Sequence, residues 1–205
     1  MKLVPIIDKH LYPINPVQFG YQNCEKSHAF GPAIRTHFLI HYVVSGCGTF
    51  RKNGHEYKVS QGEMFVIPPW VETYYEADDT TPWSYIWIGF ETESLPVPLM
   101  DVISCPNALP VFIDMKRCEE FESGRNLFLL SKIWEMLSLV ENLNSEKRGY
   151  VDSAKSFIHS QYMMGIGVDE VARHVLRMNK AFCTVNVTPF LGIEIFNKRE
   201  HFPYF

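Results

Sequence analysis

The hydrophobic rhythm of the chain changes twice. Residues 1–36 are rich in Pro, Gly and Asn and show little periodicity, which predicts an extended arm with short strands. From Thr36 the stretch THFLIHYVVSGCGTFRKNGHEYKVSQGEMFVIPP alternates apolar with polar, favours β-branched and aromatic residues, and is cut by turn signals. Asn53–Gly54, set between two alternating runs, is a hairpin signal, and Gly46 and Gly48 mark another turn. WSYIWIGF, Trp83 to Phe90, reads as a further buried strand. Short strands at this spacing predict a small β-barrel or sandwich. Residues 91–120 are irregular and punctuated by Pro96, Pro98, Pro106 and Pro110.

The period then becomes helical. Leu127, Leu130, Trp134 and Leu137 fall at i, i+3, i+7 and i+10, and Ile133 and Val140 widen the stripe. This predicts an amphipathic helix from about Gly124 to Leu143 whose apolar face is either core or a dimer seam. After the polar segment NLNSEKRG, a second helix is expected from Tyr150 to about Met163, with Val151, Ala154, Phe157 and Ile158 on its buried face. GIGVDE interrupts it, and a short third helix follows from Val168 to about Val175, with Val171, Ala172 and Val175 inward. Two short helices joined by a Gly turn look like the start of a helix-turn-helix.

Composition narrows the function classes. The aromatic share, 14%, favours β structure or a stacking pocket over a helical bundle. No apolar run approaches the roughly 18 residues that span a bilayer, and Pro5 and Asp8 break the N-terminal apolar patch, so a signal peptide is not expected. Five scattered cysteines without a CxxC pair fit reduced thiols in the cytoplasm. The net charge of −4 argues against a general nucleic-acid binder, although it divides into −6 over residues 1–144 and +2 over residues 145–205.

Little in the chain points to catalysis. There is no G-x-S-x-G, no Gly-rich phosphate loop, and no cysteine with an obvious histidine partner. Asp78–Asp79 and Glu119–Glu120 read as solvated loop charge. His37 and His41 lie in a strand-like run, so they share a face but stand about 13 Å apart, too far to ligate one ion. The stretch from Gly62 resembles the second motif of metal-binding cupin barrels, G-x5-P-x-G-x2-H. Pro68 is in place, Trp70 stands where the glycine is expected, and Thr73 stands where the histidine ligand is expected. No metal or other cofactor is expected.

HFLIHYVVSGCGTFRKNGHEYKVSQGEMFVIPP followed by YYEADDTTPWSYIWIGF resembles the N-terminal sugar-sensing cupin of the AraC-type transcription regulators. PWSYIWIGF resembles the branch that regulates use of α-galactosides and related oligosaccharides. The resemblance covers roughly residues 15 to 175. It implies a metal-free barrel that binds a small effector, a following helix that mediates dimers, and a C-terminal domain of two helix-turn-helix units that binds DNA. By motif position it implies ligand contacts at Tyr74, Tyr85 and Trp87; Arg35, just before the first barrel strand, and His37 are further candidate contacts. Tyr85 and Trp87 alternate on one strand and so can both line the interior, where aromatic faces stack on sugar rings. The dimer contacts would be Leu127, Leu130, Trp134 and Leu137.

The C-terminus departs from that pattern. VDEVARHV matches the first helix of the motif, and Met178–Asn179 keep their place, with Asn179 and Lys180 the candidate DNA contacts. Thr184, Val185, Val187 and Thr188 are then poor helix formers, and Pro189 would cost a helix interior about 3 kcal/mol or more. The residues from Tyr150 onward are too few for two helix-turn-helix units. The expectation is a truncated or frame-disrupted regulator.

The expected fold is therefore α+β. A metal-free cupin-like barrel (1–120) is followed by a dimerising or linking helix (121–146) and a degenerate helix-turn-helix region (147–205). The expected function is a sugar-responsive regulator of carbohydrate use that is a homodimer, not an enzyme and not membrane-bound, and whose own DNA binding is doubtful. The alternatives are a stand-alone cupin module that modulates a full-length relative through mixed dimers, and a cupin enzyme such as a sugar isomerase, which the absent ligands disfavour.

Overall fold

The computed structural model of the protein describes residues 1–161 and 167–175. The chain divides into two compact units, Met1–Leu143 and Asn144–Phe205.

The first unit is built from antiparallel strands in two sheets. One sheet has six strands: β1 (Lys2–Val4), β2 (Ile14–Asn23), β9 (Ser84–Thr92), β4 (Phe38–Ser45), β7 (Glu63–Ile67) and β10 (Val102–Ser104), in that spatial order. The other has four: β3 (Ala29–Ile34), β8 (Glu72–Ala77), β5 (Cys47–Lys52) and β6 (His55–Ser60). The hairpin expected at Asn53–Gly54 joins β5 to β6, and both turn residues have positive φ, at 51° and 77°.

Alternation along the central strands explains the layering, because successive side chains point to opposite faces. On β4, β7 and β9 one set, Leu39, Val43, Phe65, Ile67, Tyr85 and Trp87, meets Phe50, Val59, Tyr75 and Ala77 of the four-stranded sheet. This is the barrel interior. The other set, Ile40, Tyr42, Met64, Val66, Ile86, Ile88 and Phe90, faces the opposite way and packs on helical residues. Those strands are buried on both faces, which is why they read as nearly continuous apolar runs. Each buried Leu, Ile or Phe contributes about 1.5–3 kcal/mol.

The covering helices come from the segment that lacks periodicity and from the one that has it. Pro106–Ala108 form a 3-10 turn that leads into α1 (Leu109–Met115), which buries Val111, Phe112 and Met115. Two of the prolines that make residues 91–120 look irregular, Pro106 and Pro110, sit at helix starts, where a missing N–H costs nothing. Within the first unit α2 begins at Arg125 and buries Leu129, Ile133, Met136, Leu137 and Val140 against the outer face of the six-stranded sheet.

One expectation about the helices is corrected. The polar segment NLNSEKRG does not end a helix, and α2 runs without interruption from Arg125 to Gln161. The segment has no proline, and its lone Gly149 costs a helix only about 1 kcal/mol. In the second unit Ala154 of α2 is buried, as is Val171 of α3 (Val168–Val175), as the stripes predicted. No described helix is long and apolar enough to cross a membrane.

Candidate functional site

The barrel interior centres on His41. On β4 its cross-strand neighbours are Phe65 of β7 and Trp87 of β9. The imidazole stacks on Phe65 with ring centroids 4.5 Å apart, and Tyr75, Tyr85 and Trp87 surround it at 5.0, 4.8 and 6.0 Å. His41 is 2% exposed. Burial, reinforced by the positive charge of Arg35, holds its pKa well below the usual histidine value, so the ring is neutral at pH 7. Burial and the neighbouring Tyr75 push the Tyr85 hydroxyl well above the usual tyrosine range. Burial also raises Tyr75, while Arg35 works against that rise.

The polar atoms of this interior are incompletely paired. Arg35 Nη1, His41 Nδ1, Thr73 Oγ1, Trp83 Nε1 and Trp87 Nε1 are buried and have no hydrogen-bond partner among the described residues. The thiol of Cys24, a poor acceptor, is the polar group beside Trp83 and Tyr85. A folded protein rarely leaves buried polar groups without partners, so these five atoms mark where water or a ligand would bond in the barrel.

Several strand ends meet at one end of the barrel. There β3 ends at Ile34, β4 begins at Phe38, β7 ends at Ile67, and β8 begins at Glu72. The β5–β6 hairpin reaches the same end, since Lys52 pairs with Thr73. A recess of about 490 Å³ opens there, lined by Pro32, Arg51, Lys52, Asn53, Gly54, Glu72, Thr73 and Tyr74. Thr73, 2% exposed, borders this recess and carries one of the unpaired atoms. Lys52 is held there by an ion pair with Asp101, which also accepts a bond from the Tyr57 hydroxyl at 2.8 Å. The guanidinium of Arg35 lies 4.6 Å over the ring of Phe30, and that ring stacks on Tyr75 at 5.7 Å.

The residues singled out in the sequence fall in different places. Tyr85 and Trp87 are both in the interior, 5.8 Å apart in an edge-on arrangement. Arg35 enters from the rim. Tyr74 does not join them. Its neighbour Thr73 faces inward, so alternation turns Tyr74 outward, where its hydroxyl donates to Glu76 at 2.9 Å and Arg51 lies over its ring. Tyr75 holds the interior position on that strand. His37 precedes β4, pairs with Gln18 at 3.1 Å, and borders a separate recess of about 380 Å³ with Leu3, Val4, Pro5, Ile6, Val17 and Glu91.

Sequence reasoning missed Tyr75 and Trp83 as interior groups and left His41 a pocket or surface histidine. The signal for His41 was present, since it shares its strand face with Leu39 and Val43. Among the described residues there is no cluster of three or more His, Cys, Asp or Glu side chains placed to hold a metal ion.

The helical stripe also divides. Leu137 is buried at 1% exposure, and Leu130 is half-buried against the same core, whereas Leu127 is 60% and Trp134 40% exposed. The four residues therefore do not share one environment. Asn179 and Lys180 lie outside the described residues.

Residues 15–96 match the family described as the AraC-like ligand binding domain. The chain is 28% identical over 187 residues to an Msm operon regulatory protein from Streptococcus mutans, covering 81% of this chain and 67% of that protein. It is 36% identical over 78 residues to the raffinose operon transcriptional regulatory protein RafR of Pediococcus pentosaceus, covering 37% of this chain and 28% of that one. A lactose operon transcription activator of Staphylococcus xylosus matches at 22% over 158 residues, covering 67% of this chain and 57% of the activator. Residues 15–96 are thus similar to the AraC-like ligand binding domain, within a chain that resembles operon regulators over most of its length.

Proposed function

We propose that this chain senses a saccharide in its barrel and carries that signal to transcription of a carbohydrate operon, without catalysing a reaction. The observation that supports this reading is the set of five unpaired polar atoms among aromatic walls. Sugars present hydroxyls in many directions and apolar C–H faces, so they are matched by scattered donors and acceptors beside flat rings. Arg35, Thr73, His41, Tyr85 and Trp87 are the ligand contacts in this reading.

Two copies pair through the exposed part of the helical stripe, Leu127 and Trp134 with Leu130 beside them. The protein works in the cytoplasm. The irregular sequence around Pro189 favours a second reading, in which the chain pairs with a relative and does not hold an operator by itself. Calorimetry against mono- and oligosaccharides tests the sensing role, and absence of heat with every sugar rejects it. A gel-shift assay on the operator, run at two salt concentrations, separates the two readings of DNA binding.

A further inference from the structure

Arg35 carries a charge that the fold does not answer. It precedes β4, and its Nη1 is buried without a hydrogen-bond partner among the described residues. Among those residues no carboxylate forms an ion pair with it. The ring of Phe30, 4.6 Å from the guanidinium carbon, offsets part of the charge but offers no acceptor oxygen. The field of Arg35 reaches interior groups, since it works against the rise that burial imposes on Tyr75 and adds to the lowering that burial imposes on His41. Among the described residues no carboxylate acts on His41 against it. A guanidinium whose buried end lacks an anion is costly, because the charge has lost water there without gaining a counter-charge.

The other unpaired atoms lean the same way. Arg35 Nη1, Trp83 Nε1 and Trp87 Nε1 can only donate, while His41 Nδ1 and Thr73 Oγ1 can donate or accept. None of these atoms is restricted to accepting. Water or a sugar hydroxyl brings a donor with its acceptors, whereas an ionised carboxylate or phosphate brings acceptors alone. We propose that the effector is an anionic saccharide, a sugar bearing a carboxylate or a phosphate, and that Arg35 receives the charge. This rests on the saccharide reading of the barrel and adds to it the charge of the ligand. A planar guanidinium matches the paired oxygens of either group, and Tyr85 and Trp87 remain for the sugar ring.

The test is calorimetry of the full chain with glucose and galactose, the uronate and the 6-phosphate of each, the methyl ester of each uronate, and inorganic phosphate. The expected result is that a charged sugar binds about tenfold or more tightly than its neutral parent, and that a uronate loses this advantage as its methyl ester. Preference for a uronate assigns a carboxylate, and preference for a 6-phosphate assigns a phosphate. Arg35→Gln should bring charged and neutral sugars to within about twofold of each other, whereas Arg35→Lys, which keeps the charge without the fork, should retain part of the preference. The comparison of ligands on the wild type decides the matter even where a variant folds poorly. Neutral sugars that bind as tightly as charged ones overturn the anionic effector and leave the saccharide reading standing. Inorganic phosphate that binds as tightly as the 6-phosphates, or an anion preference that survives in folded Arg35→Gln, also overturns it. Binding of no sugar, charged or neutral, overturns both.

Discussion

The imidazole of His41 lies almost parallel to the ring of Phe65, with centroids 4.5 Å and planes 3° apart. A charged imidazolium in that position would have lost its water without gaining a carboxylate, since Arg35 is the charged group whose field reaches it. The fold therefore selects the neutral ring, and stability depends on pH. Folding lowers the pKa of His41 from about 6.5. As pH falls through that value the unfolded chain takes up a proton that the folded chain refuses. The stabilisation is complete above about pH 6.5 and declines below it, at up to about 1.4 kcal/mol per pH unit until the folded pKa is reached. Urea unfolding between pH 5 and pH 7.5 should show this slope, and His41→Gln should flatten it.

Thr73→Val should separate stability from binding. The hydroxyl is buried and unpaired, so an isosteric apolar replacement should leave stability unchanged or raise it by up to about 1 kcal/mol. If that hydroxyl is kept for a ligand, sugar affinity should fall at the same time. Denaturation curves and calorimetry on one preparation measure both, and unchanged affinity would remove Thr73 from the site.

Gly20 controls the placement of Trp87. A Cβ added at Gly20 would stand 2.3 Å from Trp87 Cζ2 and 2.5 Å from the Lys2 carbonyl oxygen. Gly20→Ala should therefore displace the indole toward the interior or push β1 off the sheet, at a cost of about 1–3 kcal/mol. The near-ultraviolet circular dichroism of the interior aromatics should change with it, and an unchanged spectrum with wild-type stability would contradict the contact.

The helical stripe predicts opposite phenotypes for two of its leucines. Leu137→Ala removes a fully packed side chain and should cost about 2–5 kcal/mol. Leu127→Ser alters an exposed position and should change stability by no more than about 0.5 kcal/mol. If the exposed part of the stripe holds two copies together, Leu127→Ser should shift sedimentation toward the monomer. A dimer unaffected by Leu127→Ser and Trp134→Ser would place the contact elsewhere.

Much of this molecule was legible in local patterns. The alternation from Thr36 to Phe90, the Asn53–Gly54 turn and the 3.6-residue stripe after Gly124 each follow from backbone geometry acting over a few residues, so strands, hairpin and helix could be read directly. The shared face of Tyr85 and Trp87 followed from the same period of two. The strand that carries Thr73 shows the limit of such reading. Sequence proximity made Tyr74 look like part of the site, but one step along a strand reverses the face, so the interior received Thr73 and Tyr75.

Other features depended on contacts between segments distant in sequence. The irregular stretch after Phe90 gained β10 by pairing with β7, and α1 by burying Phe112 on the outer face of the sheet. The neutrality of His41 required Phe65, Tyr75, Tyr85 and Trp87 to close around it and exclude water. The division of one apolar stripe into buried Leu137 and exposed Leu127 required a sheet to pack on only part of the helix. The sequence by itself determined where strands and helices form, because hydrophobic period and turn chemistry are local. Tertiary structure decided which polar atoms lost their water without gaining partners, and the candidate site is made of those atoms.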